Sequence, residues 1–243
     1  MKKTLLRLFL LFFFIFGCQD EPKYNKVYLR GEIVNPINGY ITLFKDNELI
    51  DSIPLNDKNM FSYTLENAEQ GLYTFKHPSE SQTIYIEPGD SILFRLNTLA
   101  FDETLFYSGS AAAKNNFLME LFLLNEKNND LIFSYYKIDP KDFAKITDSI
   151  KKSRIKKLKL LQQKKNFSDE FLSLARKSIN YEYYDLRERY AFLINKYAEE
   201  RSGELPPVFF DYRKEVDFND ESLQNHYVYQ RFLDDYLKNR SIE

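Results

Sequence analysis

The spacing of apolar residues changes once along this chain of 243 residues, and that change restricts its fold more than any other feature. From Val27 to about Leu96, apolar and polar residues alternate, which is the period of two typical of strands. From Ala111 onward the apolar residues recur at steps of three and four, the spacing of one helix face. Strands followed by helices predict an α+β protein, whose second part, residues 108–243, is an all-helical domain.

The alternating part contains about seven short strands, separated by turn signals. Asn38-Gly39 is one such signal, and Pro88-Gly89 suits the two central positions of a type II turn. Short strands at this spacing are typical of an antiparallel sandwich or an open barrel. We therefore predict an N-terminal antiparallel β-sandwich-like domain or open barrel over residues 27–107.

Four helices are predicted in the second part from their start and stop signals. Ser110 is the expected N-cap of the first helix, and Asp139-Pro140 begins the second with proline at its first position. Ser168 begins the third helix, and Gly203 is expected to close it. The fourth helix covers about residues 224–239 and carries several aromatic residues on one face.

The N-terminus has the layout of a secretory signal. Three basic residues within the first seven precede an unbroken apolar run, Leu8–Phe16, which ends at Gly17-Cys18. The run is shorter than the roughly 20 residues that a helix needs to cross the hydrocarbon layer. We therefore predict a signal peptide over residues 1–17.

The end of this run resembles the bacterial lipobox, whose cysteine thiol receives a diacylglycerol before cleavage makes it the new N-terminus. The matching residues are Ile15-Phe16-Gly17-Cys18, and Phe16 departs from the pattern because a smaller residue usually stands there. The resemblance implies that Cys18 is lipidated, that residues 18–26 are a lipidated tether, and that the membrane is a partner through the N-terminal lipid. An uncleaved N-terminal anchor helix is the alternative.

Acidic residues follow the cysteine closely. Asp20 and Glu21 stand where some lipoproteins carry a signal for export to the outer face of the outer membrane, and this stretch resembles that signal. An ordinary solvated linker is the alternative. We expect a bacterial cell-envelope protein that is lipid-anchored in the outer membrane, with the periplasmic and the surface face both left open.

Charge and cysteine usage exclude several classes of function. The net charge is −2, and loss of Lys2, Lys3 and Arg7 with the leader leaves 31 basic against 36 acidic residues, or −5. Such a protein lacks the basic footprint of a nucleic-acid binder, so no nucleic-acid partner is expected. Cys18 is the single cysteine, so the lipidated chain has no thiol for a disulfide or a nucleophile. Two histidines and seven dispersed glycines indicate no metal, no cofactor and no catalytic residue.

Several segments of the chain resemble, in their order, the N-terminal β-domain and helical region of TlpA-like thiol-disulfide reductase lipoproteins. In that family the β-domain, of uncharacterised function, and the helical region precede a thioredoxin module. The matching segments are Tyr28–Ile33, Leu49–Ser52, Phe61–Tyr63, Gly71–Phe75, Ile86–Ile92, Tyr107–Phe117, Leu205–Asp211 and Tyr229–Leu237. The resemblance covers most of the chain after Cys18.

The chain departs from this family at its chemistry. The redox site of the family is a Cys-x-x-Cys in the thioredoxin module, and this chain reaches Glu243 without one. No catalytic residue is therefore carried over. The chain is either a natural variant without the module or the truncated front part of a TlpA-like thiol-disulfide oxidoreductase.

The second predicted helix carries the one strong charge run of the sequence. Its members are Lys151, Lys152, Arg154, Lys156, Lys157, Lys159, Lys164 and Lys165. The run permits docking onto anionic lipid or lipopolysaccharide near the anchor. Because apolar residues interleave at helical spacing, the pattern favours the solvated face of an amphipathic helix.

Other candidate side chains are read as structural. Tyr183, Tyr190 and Tyr197 form a stripe that suits helix packing better than a ligand groove. His77 in a polar loop and His226 near a helix start have no metal-ligand spacing, and no histidine stands at a recognisable spacing from Asp51-Ser52 to make a hydrolase site. The third helix also carries charges that we read as surface ion pairs, namely Glu182, Asp185, Arg187, Glu188, Arg189 and Glu199.

Together these observations favour a non-enzymatic, lipid-anchored cell-envelope protein that binds a partner protein or a ligand. The truncated reductase is the first alternative. The second is a surface lipoprotein that binds glycans through exposed tyrosine and phenylalanine rings.

Overall fold

A computed structural model describes residues 25–129, 134, 136–198, 200, 203 and 205–242. The fold is α+β, as the sequence predicted, with two four-stranded sheets followed by a helical region. The predicted signal peptide and Cys18 lie outside the described residues. No helix in the described part is both long and apolar enough to cross a membrane.

The described residues form eight strands, one more than the alternation indicated. The first seven follow the alternating part of the sequence, and the eighth passes the predicted domain boundary at residue 107. The strands are β1 Val27–Val34, β2 Tyr40–Lys45, β3 Glu48–Pro54, β4 Met60–Leu65, β5 Gly71–His77, β6 Glu80–Ile86, β7 Ser91–Asn97 and β8 Phe106–Gly109.

The first sheet has the order β4-β1-β7-β8 and the second has the order β3-β2-β5-β6. Strand pairs are antiparallel except for β1 and β7, which run parallel with Tyr28 opposite Ser91. The sheets are thus mostly antiparallel, as predicted, and this pair is the exception. Parallel neighbours need a long crossover, and here the chain builds the whole second sheet before β7 returns beside β1.

The two sheets share one apolar core, to which both inner faces contribute. Phe75 of the second sheet stacks on Phe94 of the first, with ring centroids 4.6 Å apart. Gly31 makes this packing possible, because a Cβ there would stand 2.5 Å from the Phe94 carbonyl oxygen and 2.6 Å from the Phe61 ring. The packing of the two sheets thus depends on aromatic rings that lie close to the backbone of a glycine.

Two tight turns in this region have the residues that their backbone requires. Asp46 and Asn47 join β2 to β3 with φ values of 51° and 65°, which matches the positive φ of both central residues in a hairpin turn of type I′. Gly89 has a φ of 90°, and the Asp90 amide donates to the Glu87 carbonyl at 3.0 Å. The turn predicted at Pro88-Gly89 is therefore confirmed.

The helices are α1 Phe101–Thr104, α2 Ala112–Asn129, α3 Pro140–Gln162, α4 Asp169–Tyr197 and α5 Tyr227–Arg240. Short 3₁₀ segments lie at Pro207–Glu215 and Glu221–Leu223. Two predicted N-caps are confirmed: the Asp139 carboxylate accepts from the Lys141 amide at 2.9 Å, and the Ser168 hydroxyl accepts from the Phe171 amide at 3.1 Å.

Three boundary predictions were wrong. The Ser110 hydroxyl does not cap α2; it accepts from the Ser91 amide at 2.8 Å and so belongs to the end of β7. Helix α4 ends at Tyr197, before the predicted stop at Gly203. Helix α5 begins at Tyr227, because the residues just before it form the short 3₁₀ segment Glu221–Leu223.

Helix α2 joins the sheets to the helical region. The Asn115 side chain donates to the Tyr85 carbonyl at 2.9 Å and accepts from the Tyr85 amide at 2.7 Å, so it pairs with β6 as a neighbouring strand would. Met119 of α2 lies in the core of the sheets, whereas Phe117 and Leu121 lie in the core of the helices. One helix therefore contributes to both cores.

Candidate functional site

The charges on α4 that the sequence suggested were surface ion pairs are buried, and that prediction was wrong. Glu182, Asp185 and Glu188 are each at most 2% exposed, and Arg187 is 6% exposed. Their helix passes through the middle of the helical region, so neighbouring elements cover its polar face as well as its apolar face. Glu199 lies outside the described residues.

The Glu188 carboxylate is buried together with the hydrogen-bond donors that it needs. The Arg213 guanidinium donates to both carboxylate oxygens, from Nε and from Nη2, each at 2.7 Å. The Tyr212 hydroxyl and the Asn239 amide add hydrogen bonds at 2.6 and 2.7 Å. Burial and the Glu188 carboxylate both raise the pKa of Tyr212. Four hydrogen bonds, two of them from a guanidinium, offset much of the cost of burying this side chain.

The same pattern holds along the rest of α4. Asp185 accepts from Arg231 at 3.2 Å and pairs with Arg189, and burial followed by the Asp185 charge raises the pKa of nearby Asp235 to about 7. Glu182 pairs with Arg154 of α3. These separate clusters, which we together call the buried ionic network, join α4 to α3, to α5 and to the 3₁₀ segment at Pro207–Glu215.

Arg154 is buried, unlike the exposed lysines of the charge run to which the sequence assigned it. Its side chain is 7% exposed and donates to Asn125 at 2.8 Å, and burial lowers its pKa to about 10. The lysines Lys152, Lys156, Lys157 and Lys159 of the same helix are exposed. Helix α3 is therefore amphipathic, as its spacing indicated, with one arginine on the buried side.

The tyrosine stripe packs mainly between helices. Tyr190 is buried and stacks on Phe143 with ring centroids 4.0 Å apart. Tyr183 is partly buried, and its hydroxyl donates to Asp148 at 2.9 Å. Tyr197 is 54% exposed and lies 5.8 Å from the Tyr136 ring. The stripe thus forms no single groove.

His77 is a structural residue, although it ends β5 rather than lying in the polar loop that was expected. It is 1% exposed, and its Nε2 accepts from the Ile37 amide at 2.8 Å. Its Nδ1 then carries the proton and donates to the Tyr40 carbonyl at 3.0 Å. Burial lowers the pKa of His77, which fits the neutral ring that this arrangement needs.

His226 contacts a serine in a geometry that resembles a catalytic pair but has the wrong direction. The Ser178 hydroxyl donates to the Leu174 carbonyl at 2.9 Å, so the His226 Nε2 at 2.6 Å is the donor to that hydroxyl. A general base would have to accept the serine proton. Both residues are at most 4% exposed, and the pair is structural.

Two further expectations concern metals and hydrolysis. Among the described residues, no three His, Cys, Asp or Glu side chains are grouped so as to hold a metal ion. Asp51 and Ser52 lie on β3, where the Asp51 carboxylate accepts from the Ser52 amide at 2.7 Å. Both residues pair with β2, opposite Leu43 and Thr42, and are structural, as the sequence indicated.

An open cleft between the second sheet and helices α2 and α5 is the arrangement best suited to a polar ligand. We call it the polar cleft; its volume is about 220 Å³. Thr74 and Thr83 stand opposite each other on β5 and β6, and Phe122 and Tyr227 meet edge to face at 5.0 Å on the helical side. The lining consists of Phe44, Asn47, Thr74, Lys76, Ser81, Gln82, Thr83, Phe122, Asn225, Tyr227 and Gln230.

The chemistry of the polar cleft is that of hydroxyls, amides and ring faces. The Lys76 ammonium lies 4.4 Å from the centre of the Phe44 ring and supplies the one cation among the lining residues. Donors and acceptors beside aromatic faces suit a neutral polar ligand that presents hydroxyl groups. No pattern in the sequence indicates these residues, because they come from distant segments that only the fold brings together.

No protein-family model and no curated protein matches this chain. The resemblance to TlpA-like lipoproteins therefore stays a prediction.

Proposed function

We propose that this chain is a lipid-anchored cell-envelope protein that binds a ligand or a partner protein and carries out no catalysis. The observation that carries the proposal is Ile15-Phe16-Gly17-Cys18 after a basic and apolar leader, together with Cys18 being the single cysteine. The absence of catalysis is supported by the Ser178–His226 hydrogen bond, in which the histidine donates to the serine hydroxyl and so does not act as a general base. The resemblance of the β-domain to the corresponding domain of TlpA-like lipoproteins supports the envelope setting.

The lipid anchor is tested by Cys18→Ala in a bacterial host. We expect the variant to accumulate as a larger precursor that takes up no labelled palmitate, because its side chain has no sulfur to acylate. Gly17→Ala keeps a small residue beside the cysteine and is the matched control, which should be processed and labelled. Equal labelling of Cys18→Ala and the unaltered chain would contradict the proposal.

The non-catalytic part is tested with the purified, processed protein. Disulfide reductase activity should not exceed that of a Cys18→Ser control, since no other thiol exists to carry electrons. Activity clearly above that control would favour the reductase alternative.

Glycan binding at the polar cleft is a second candidate function, favoured by the hydroxyls and ring faces that meet there. A glycan array would provide the ligand, and Ser81→Ala with Thr83→Val would remove two lining hydroxyls with little change in shape. We expect roughly a tenfold loss of affinity, from about 1 kcal/mol or less per hydrogen bond. Thr64→Val, on the outward face of the first sheet, is the control. Absence of any binder at millimolar concentration would contradict this candidate.

A further inference from the structure

The exposed side of α3 forms an open groove that is lined mainly by lysine side chains. We call it the lysine groove; its volume is about 600 Å³. The steps between its residues on α3 are one, three or four, so they lie on adjacent rows of one helix face. Its principal residues are Asp148, Lys151, Lys152, Lys156, Lys159 and Tyr183.

The positive charge of the lysine groove is not balanced by acidic partners. Within the described part of the chain none of its four lysines makes an ion pair, whereas Lys114, Lys157 and Lys177 each pair with a carboxylate. The one acid of the groove, Asp148, is already engaged by the Tyr183 hydroxyl at 2.9 Å and by Arg187 at 3.0 Å. The Glu215 carboxylate also attracts Lys151, but the four lysines outnumber these two carboxylates, so an anion entering the groove meets net positive charge.

Lys151 adds a second indication. Its ammonium lies 4.6 Å from the centre of the Tyr183 ring, and burial lowers its pKa despite the attraction of the Glu215 and Asp148 carboxylates. An oxyanion bound beside it would favour the charged form.

The lysine groove leads toward the place where the chain emerges from the β-domain. The Gly89 amide donates to the Lys26 carbonyl at 3.0 Å, and Glu87 of the same turn contacts Ser168, the N-cap of α4. The exposed Lys164 and Lys165 lie in the loop between α3 and Ser168. The loop that follows α3 and the start of the tether are thus connected through the turn that contains Glu87 and Gly89.

The length of the tether fits this arrangement. Lys26 lies eight positions after Cys18, and eight positions span at most about 29 Å when the chain is fully extended. The lysines from Lys151 to Lys159 extend over about 12 Å of helix. A lipid on Cys18 therefore keeps this face within reach of the headgroups around it.

We propose that the lysine groove, together with Lys164 and Lys165, docks onto the phosphate groups of anionic lipids in the leaflet that holds the anchor. The inference rests on the lipid anchor of the proposed function. Lysines spread along a helix, with no single point on which buried donors converge, suit a surface of many phosphates better than one free phosphate ion. Docking there would orient the rest of the molecule on the membrane.

The test uses the chain from residue 18 onward with Cys18→Ser, because all described elements of the fold lie between residues 25 and 242 and no acyl chain then contributes. Binding is measured to vesicles of phosphatidylcholine with and without phosphatidylglycerol. Lys152→Ala, Lys156→Ala and Lys159→Ala are combined in one variant. We expect binding only to the anionic vesicles and about a 100-fold loss of affinity in this variant, from about fivefold per lysine.

The matched control combines Lys58→Ala, Lys127→Ala and Lys141→Ala, which are exposed, make no ion pair within the described residues and change the net charge equally. Its affinity should stay within a few-fold of the unaltered chain. Equal loss in both variants, equal binding to neutral vesicles, or full displacement by millimolar inorganic phosphate would overturn the proposal. Because the test protein is unacylated, its failure is distinguishable from a failure of Cys18 acylation in cells.

Discussion

At the scale of single residues, His226 is the group whose burial has the clearest thermodynamic consequence. Its ring is 4% exposed at the start of α5, and desolvation lowers its pKa to about 4. The unfolded chain, with an ordinary histidine pKa near 6.5, therefore binds a proton at a pH where the folded chain does not. The contribution of His226 to stability is complete above pH ~6.5 and is lost as the pH falls toward 4.

His226→Gln should remove this dependence while keeping an amide that can donate to Ser178. The free energy of unfolding of the unaltered chain, relative to the variant, should fall by about 3 kcal/mol between pH 7 and pH 4. Urea unfolding of both proteins across this range measures the difference. A difference that does not change with pH would contradict the account.

Asp235 opposes His226 in the same range, which is why the comparison with a variant is needed. Its pKa is raised to about 7 by burial and by the Asp185 charge. Such a group stabilises the fold below its unfolded pKa near 4, and this contribution is lost as the pH rises toward 7. The two slopes have opposite signs, so the stability curve of the unaltered chain alone does not report on either residue.

At the scale of elements, the sequence predicted the helix starts and the strands, because these depend on interactions between residues close together in the chain. The N-caps of α3 and α4 are Asp139 and Ser168, because each side chain needs only an amide two or three residues away. The alternation predicted seven strands for the same reason. The parallel pairing of β1 with β7 and the burial of the α4 charges depend on distant segments, and a pattern in a short window contains no information about them.

The polar cleft and the buried ionic network illustrate the same limit. Glu188 of α4 is covered by Arg213 and by Asn239, which are 25 and 51 positions further along the chain. Without knowledge of those partners, a run of acidic and basic residues on a helix predicts a solvent-exposed face. One signal was present in the sequence: α4 has apolar residues on more than one face, which is typical of a helix buried on all sides.

Substitutions at the Arg154–Glu182 pair, which joins α3 to α4, test whether water is excluded from the buried ionic network. Arg154→Met leaves a buried carboxylate without its partner and should cost about 3–5 kcal/mol of unfolding free energy. Adding Glu182→Leu should restore most of that loss, because the second charge is then gone. Lys157→Met, on the exposed side of α3, is the control and should cost less than about 1 kcal/mol. Additive losses in the double variant, measured by urea unfolding, would contradict a buried pair.

At the scale of the whole molecule, the sheets and the helices are joined at several places, two of which are hydrogen-bonded through asparagine side chains. Asn115 of α2 forms two hydrogen bonds with Tyr85 of β6. On another part of the second sheet, the Asp46 and Asn47 side chains of the β2–β3 turn bond to Asn225 beside α5. The cores share α2, so we expect the sheets and the helices to unfold together.

Asn115→Ala tests this coupling. It leaves the Tyr85 amide and carbonyl without their partner and should cost about 2–4 kcal/mol. The loss should appear equally in the helical circular dichroism signal and in hydrogen exchange of the β-strand amides. Gln163→Ala, an exposed amide at the end of α3, should change neither signal by more than about 0.5 kcal/mol. Separate transitions for strands and helices would contradict a single cooperative unit.

The central claim is that the sulfur of Cys18 carries lipid, so that the finished protein has an anchor and no thiol. Mass spectrometry of the N-terminal peptide, taken from protein extracted from membranes, tests it most directly. The account predicts a peptide that begins at Cys18 and has the added mass of a diacylglyceryl group on its sulfur. A peptide that begins at Met1, or one that begins at Cys18 with a bare thiol, would contradict it.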